Sequence, residues 1–416
     1  MRIIIENAKA VYGLHTPDTL VVKGEQMKDF PFQENVIILI ENEKFSFIGP
    51  KSDLDPEIYN QSEKLDAKGG YILPGFCDPH THIVFSGWRE TEFRDKILGL
   101  SYEEIAKKGG GILQSAKRLS ETSEDSLFEQ SMTRVRQMAN MGTTAMEIKS
   151  GYGLSVKDEI KMLRVIQRIK EATPHHIKST FLGAHAVPLE FKTNPDAYVD
   201  LIINEMLPNI AAEKLADYID VFCDRGFFTV EQTDRMLDAG AKYGLKPKIH
   251  ANELDYSGGI QVGVKHQAVS VDHLECTGDE EIETLLDSNT IPTLLPSTAF
   301  FLGLHYPPAR KMIESGLPIA MASDYNPGSS PSGSIPFIIS LACIRMKLLP
   351  EEAFNAVTLN SAAAMEWNHM AGSITVGKQA DFIITNPMSS ISFIPYTFTT
   401  NHIQSVYIKG KKYTHE

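Results

Sequence analysis

The residues best suited to chemistry in this chain are the two histidines of the run Asp78-Pro79-His80-Thr81-His82. The run closes an apolar stretch, Tyr71 to Cys77, that reads as a buried strand. Side chains at i and i+2 share one face of a strand, so the two imidazoles can converge on one point, as two ligands of one metal ion must. A lone His-x-His pair also occurs in ordinary polar loops, so the metal reading depends on partners elsewhere. His185, His250, Asp272, His273 and Asp324 each fall at the end of a later β-rich run. Three imidazoles and one carboxylate would suit Zn2+ or Fe, and a site with an open position would acidify a water and polarise a carbonyl. The segment His250-Ala-Asn-Glu253 sets a carboxylate three residues past an imidazole, where it could carry a proton. His273 could steady a developing oxyanion or share that proton transfer.

These residues need elements that bring them together. After residue 70 the chain alternates short β-rich runs with amphipathic stretches, the pattern of a parallel α/β domain. The runs are Gly70 to Asp78, Thr143 to Lys149, Ile177 to His185, Tyr218 to Asp224, Pro247 to Asn252, Ala268 to Leu274, Ile291 to Pro296 and Ile319 to Asp324. Helical stretches such as Ser155 to Ala172, Val230 to Tyr243 and Asp279 to Leu286 lie between them, each long enough for a crossover. Eight such units predict an α/β fold of the TIM type, a (β/α)8 barrel, whose chemistry sits at the C-terminal ends of the strands. A doubly wound sheet would ordinarily use fewer strands. Arg2 to Val11, Asn35 to Ile48, Gly372 to Asn386 and Ile403 to Tyr413 are strand-like, with no helix between the last two. The expected organisation is a composite β-sandwich from residues 1–70 and 372–416 beside a catalytic barrel at 71–371, with a helical return over Leu349 to Met365.

Composition narrows the partners. Fifty-three acidic against forty basic side chains give a net charge of −13, which disfavours nonspecific binding to nucleic acid or anionic membranes. An anionic substrate would need locally placed positive charge. No apolar stretch is long enough to span a bilayer, and the start of the chain lacks the features of a signal peptide, so a cytoplasmic location is expected. Cys77, Cys223, Cys276 and Cys343 are far apart in apolar surroundings and read as buried thiols.

Each singled-out residue also has a plain structural explanation. His273 could be a core histidine bonded to a carbonyl, His185 could cap its strand, and Asp324 could serve the turn signalled by Tyr325-Asn-Pro-Gly-Ser-Ser330. Arg89, seven residues past His82, could grip a carboxylate bidentately or merely pair with Glu90 or Glu92. Gly328 and Ser329 follow the last barrel strand, where backbone N–H groups can form an anion-holding turn. Tyr152 lies between glycines that would let it swing over a ligand, or it is a packed core residue. Gly109-Gly-Gly111 lacks the Lys-Ser/Thr of a phosphate-binding loop and reads as a turn near the mouth.

Six segments together resemble the amidohydrolase superfamily, and within it the imidazolonepropionase family of histidine degradation. They are Pro74-Gly-Phe-Cys-Asp-Pro-His-Thr-His82, Lys149-Ser-Gly-Tyr-Gly-Leu154, Gly183-Ala-His-Ala-Val-Pro188, His250-Ala-Asn-Glu253, Ser270-Val-Asp-His-Leu-Glu275 and Ser323-Asp-Tyr-Asn-Pro-Gly-Ser-Ser330. The second and last are the more specific. The resemblance implies a distorted barrel with a composite sandwich, one Zn2+ or Fe ion per subunit, a homodimer, and hydrolysis of a small anionic cyclic amide by a metal-activated water. It implies His80, His82, His250 and Asp324 as metal ligands, and Glu253, His273 and Asp324 as catalytic groups. Substrate contacts would fall on Arg89, Tyr152, His185 and Glu253, with Asn326, Gly328 and Ser329 near the glutamate-like end of the product. Lys149 stays outside the metal set, because lysine-bridged relatives hold two metals and this family holds one. A cytosine- or guanine-type deaminase, or a non-catalytic relative of this fold, is the competing reading.

Overall fold

Eight of the β-rich runs pair side by side in chain order as a single parallel sheet. They are β1 (Phe76–Asp78), β2 (Thr143–Lys149), β3 (His176–Ala184), β4 (Tyr218–Cys223), β5 (Lys246–Ala251), β6 (Ser270–His273), β7 (Ile291–Leu294) and β8 (Ala320–Met321). The computed structural model describes residues 2–100 and 110–414, so His415 and Gly109 of the triple-glycine run lie outside the described residues. All seven residues of β2 are buried, as expected for a parallel strand covered on both faces. Strand β8 has only two residues, and the ring closes beyond it. The Asp324 N–H donates to His80 O, and the His82 N–H to Tyr325 O, each at 3.0 Å. The barrel is thus sealed by the backbone of the residues singled out for chemistry.

The intervening helices follow from local signals. The helix Val156–Ala172 begins at Ser155, whose hydroxyl accepts from the Asp158 N–H at 3.2 Å, and buries Met162, Leu163, Ile166 and Ile169 on one stripe. Thr229 and Gln232 form a reciprocal capping box at the start of Val230–Ala241. Among the described residues, no helix is long and apolar enough to cross a membrane. All four cysteines are free.

The expected first strand, Gly70 to Asp78, is two strands in different sheets. Tyr71–Pro74 pairs with Phe382–Thr385 and Ala10–Tyr12 in a six-stranded sheet built from both ends of the chain. Only Phe76–Asp78 enters the barrel sheet, so the chain passes from one sheet to the other at Pro74-Gly75. Proline lacks the N–H a ladder needs, and a Cβ at Gly75 would collide with the Thr144 hydroxyl. A four-stranded sheet of Arg2–Glu6, Ile37–Glu41, Lys44–Gly49 and Glu63–Asp66 packs on the first sheet. Ile5, Ile38 and Phe45 from one meet Ile72, Phe382, Ile384 and Tyr407 from the other in a shared core. A short helix, Phe393–Tyr396, interrupts the last stretch, where none was expected.

Candidate metal centre and active site

Beyond β1 the backbone stays extended, and alternation aims His80 and His82 inward while the Thr81 hydroxyl turns away to Glu147 O at 2.6 Å. His80 Nε2 and His82 Nε2 lie 3.2 Å apart, and His82 Nε2 is 3.3 Å from His250 Nε2 at the end of β5. Asp324 Oδ1, just past β8, is 3.5 Å from His80 Nε2 and 3.4 Å from His82 Nε2. Burial, reinforced by Lys149 and the neighbouring imidazoles, holds His80 and His82 well below the ordinary histidine range. Their rings are therefore neutral, the form in which imidazole binds metal. Nitrogen lone pairs and a carboxylate oxygen so close together, with too few protons to share, fit a cation at their centre. The three buried imidazoles, with ligand atoms within 4.8 Å of one another, could hold a metal ion, and Asp324 Oδ1 reaches two of them.

The far sides of these rings are held by carboxylates. His80 Nδ1 donates to Asp272 Oδ2 at 2.6 Å, and Asp272 Oδ1 accepts from the Ser270 hydroxyl. His250 Nδ1 lies 3.0 Å from Asp220 Oδ2 but off the hydrogen-bond line, while Asp220 Oδ1 accepts from the His250 N–H at 3.1 Å. Such outer partners fix which ring nitrogen is free for a metal. Lys149 joins Glu147 at 2.5 Å and Asp220 at 2.8 Å, with Asp272 at 3.7 Å. Those three carboxylates outweigh the burial of Lys149 and raise its pKa, so it stays charged. Lys248 pairs with Glu147 and donates to Pro79 O at 2.8 Å.

The rest of the mouth lies around this cluster. Glu253 is buried, and desolvation together with the charges of Asp324 and Asp224 raises its carboxyl well above the ordinary range. Its Oε2 is 3.6 Å from His273 Nδ1. His185 stacks on His82 with ring centres 5.1 Å apart, and Tyr152 sits 5.2 Å from His185. His185 Nδ1 faces Gly151 O at 3.0 Å; a carbonyl only accepts, so that nitrogen carries the proton and Nε2 is left as an acceptor. Burial pushes this ring down to about 3, and Arg89 contributes to the shift.

Arg89 does pair with Glu92, as its alternative reading had it, but the pair is buried and not on the surface. Its guanidinium is buried, 3.4 Å from Glu92, and its Nε and Nη1 have no hydrogen bond. It lies against Gly328, where a Cβ would overlap it. Lys96 donates to Gly328 O at 2.8 Å and docks the helix Glu90–Ile97 on the same turn. The anion-holding turn is a correction. The N–H groups of Gly328 and Ser329 both donate to Asn326 Oδ1 at 2.8 Å, and Asn326 Nδ2 donates to Ser329 Oγ and Asp324 O. Asn326 thus consumes those donors in an Asx turn.

The structure therefore brings His80, His82 and His250 to one point, with Asp324 against the first two, Glu253, His273, His185 and Tyr152 nearby and Arg89 on Gly328. Sequence reasoning missed Asp220, Glu147 and Lys248. A signal was available for Asp220, the one charge inside an otherwise apolar strand; the strands of Glu147 and Lys248 carry further charged residues and mark neither.

Comparison with known proteins agrees with this geometry. The model of the amidohydrolase family matches residues 71–412. The chain is 51% identical to an imidazolonepropionase of Christiangramia forsetii over 99% of its own length and 100% of that protein. It is 43% identical to an imidazolonepropionase of Geobacillus kaustophilus, covering 99% and 97% of the two chains. Among solved structures, an E. coli guanine deaminase superposes with a TM-score of 0.77 at 15% identity, over 100% of this chain and 99% of that one. At that identity the likeness concerns the fold alone.

Proposed function

The chain belongs to the amidohydrolase family, among the imidazolonepropionases, and we propose that it hydrolyses 4-imidazolone-5-propanoate to N-formimidoyl-L-glutamate in histidine degradation. The observation that carries this reading beyond kinship is Arg89. A buried guanidinium whose ionic partner, Glu92, stands at 3.4 Å without a hydrogen bond, cradled on a glycine at the mouth of a metal-suited cluster, has donors left for a substrate carboxylate. A propionate supplies one; a purine or pyrimidine base does not.

His80, His82, His250 and Asp324 would hold one Zn2+ or Fe ion, which when bound acidifies a water and polarises an amide carbonyl. The chain's own groups do the rest. Arg89 grips the propionate, and Tyr152 and His185 flank the imidazolone ring, with His185 Nε2 free to accept from a ring N–H. Glu253, in its ionised form, takes a proton from the attacking water and delivers it to the ring nitrogen as the C–N bond breaks. His273 faces the developing oxyanion, and Asp324 shares in the proton steps. Asn326, Gly328 and Ser329 line the end where the product's glutamate-like part forms. The reading includes a homodimer in the cytoplasm, which sedimentation of the purified protein and fractionation of cells would test.

The direct experiment follows the ultraviolet absorbance of freshly generated imidazolone propionate added to the metal-loaded protein. Loss of absorbance without ammonia release is expected, abolished by chelation. Ammonia release would transfer the chain to the deaminases, and an unchanged spectrum would leave family membership without this substrate.

A further inference from the structure

The steps above give no part to Glu275, a side chain whose position is costly in two ways. It is 2% exposed, and neither carboxyl oxygen has a hydrogen-bond partner. Other buried acids nearby are satisfied: Asp78 by Ser323, Asp272 by Ser270 and His80, Glu159 by the N–H groups of Gly151, Gly153 and Leu154. Leaving a buried polar group unpaired costs on the order of 1–3 kcal/mol. The backbone that brings Glu275 there is also unfavourable. His273 and Leu274 have φ of +85° and +70°, and Asn252 on the adjacent strand end has +56°. Non-glycine residues avoid that region unless the surroundings enforce it.

The surroundings do enforce it. Leu274 N–H donates to Ala251 O at 3.1 Å, Cys276 N–H to Asn252 O at 2.8 Å, and Asn252 Nδ2 to Cys276 O at 2.9 Å. The ends of β5 and β6 are thereby locked together, with Glu253 on one and Glu275 on the other. His273 Nδ1 is the atom they share. It lies 3.6 Å from Glu253 Oε2 and 3.9 Å from Glu275 Oε2, and it is itself buried without a hydrogen bond. Intervals somewhat longer than a hydrogen bond are common in such sites before substrate binds.

We propose that Glu275 is a positioning residue for His273: its carboxyl acts on Nδ1 so that Nε2, on the opposite edge of the ring, carries the N–H that meets the substrate's oxyanion. Glu275 in its protonated form donates O–H to Nδ1, and the single ring proton must then sit on Nε2. Burial and the nearby charges of Glu253, Asp324 and Asp224 favour that protonated form. Glu253 cannot supply the same constraint, because in the proposed cycle it gains and loses a proton at each turnover. A second carboxyl whose state does not change keeps the tautomer fixed while the first one works. In the usual case the buried acid is ionised and accepts from the ring N–H that faces it; here the protonated acid donates, so the ring proton is set on the opposite nitrogen.

The inference rests on the proposed hydrolysis, but its first test needs no substrate. The test compares the metal-loaded wild type with Glu275→Gln and Glu275→Leu, using nitrogen-15 spectra of histidine-labelled protein with His273 assigned by its loss in His273→Asn. The wild type and Glu275→Gln, whose carboxamide can still donate to Nδ1, should show the Nε2–H form. Glu275→Leu should lose that preference. A wild-type His273 protonated on Nδ1 alone overturns the proposal, whatever the substrate is. In turnover, Glu275→Leu should lose about 100-fold or more in kcat with little change in KM, the scale of a lost oxyanion donor. Glu275→Gln should stay within about tenfold of wild type, because the tautomer is retained. Metal content and melting temperature should hold in both variants. A leucine variant with wild-type kcat, or one whose activity falls only in step with its stability, assigns Glu275 to packing. Should the leucine variant not fold, the wild-type spectrum decides by itself.

Discussion

Two layers of buried polar side chains lie one above the other in this barrel, and they are satisfied to very different degrees. Beneath the histidine cluster, Glu147, Lys149, Asp220, Lys248 and Asp272 form a layer of alternating charge in which every group has a hydrogen-bonding or ionic partner. Above it, His82 Nδ1, His273 Nδ1, both oxygens of Glu275, and Nε and Nη1 of Arg89 are equally buried and have no hydrogen bond. A fold tolerates unpaired buried polar atoms at a substantial cost, so those gathered around the histidine cluster mark a place where ligands can complete the structure. The lower layer holds groups in place; the upper layer waits for a substrate and a metal.

The sharpest way to break that contrast is to remove one partner from each layer and compare stabilities. Lys248→Met removes the partner of Glu147 Oε2, leaving Lys149 and the Thr180 hydroxyl on Oε1, and frees Pro79 O. Deleting one member of a buried ionic network costs about 3–5 kcal/mol, so urea unfolding should show a loss on that scale. Arg89→Met should cost clearly less than this, because its ionic partner, Glu92, stands at 3.4 Å without a hydrogen bond and still accepts from the Gly111 N–H. Its effect should instead fall on substrate binding. Charged hydrogen bonds worth about 1.5–3 kcal/mol correspond to a KM for imidazolone propionate raised roughly 10- to 100-fold, read from initial rates. If Arg89→Met destabilised as much as Lys248→Met, Arg89 would belong with the structural layer and the substrate argument would fail.

A smaller effect joins the layers. Asp220→Asn keeps the shape of the carboxylate behind His250 but weakens its hold on the ring. Outer partners of metal-binding histidines commonly contribute 10- to 100-fold in affinity, so competition with a chromogenic chelator should show a loss of roughly that size. An unchanged affinity would mean that Asp220 serves Lys149 alone.

The two layers were also unequally legible in the sequence. His80, His82, His185, His250, His273 and Asp324 announced themselves because each stands where an apolar run stops, a local pattern that needs no partner to be seen. Asp220, Glu147 and Lys248 stand inside such runs, and their meaning depends on strand register. Asp220 faces Lys248 and His250 faces Asp272 only once β4, β5 and β6 are aligned. The barrel itself followed from counting strands. The division of its first strand at Pro74-Gly75 did not, because pairing across the chain ends, with Phe382–Thr385, decides where Tyr71–Pro74 goes. The turn after β8 misled for a similar reason: the donors of Gly328 and Ser329 looked free until the Asn326 side chain was placed.

The smallest effect compares two lysines. Lys149, in the lower layer, is kept charged by three carboxylates. Lys96, on the lip of the upper layer, is lowered from its ordinary 10.5 to about 8 by burial and then by the charge of Arg89. Between those two values the unfolded chain holds a proton that the folded chain has released, so stability should rise as pH climbs from about 8 to 10.5. Below about 8 both forms are charged and the folded state carries the full penalty. Lys96→Met lacks this titration. The difference in urea midpoint between wild type and variant should therefore move in favour of wild type across that window. The shift should be modest, because the ammonium is partly screened by solvent. A difference that stays flat with pH would place Lys96 among the satisfied groups, held charged by its bond to Gly328 O. The boundary between the two layers would then lie above the helix Glu90–Ile97 instead of below it.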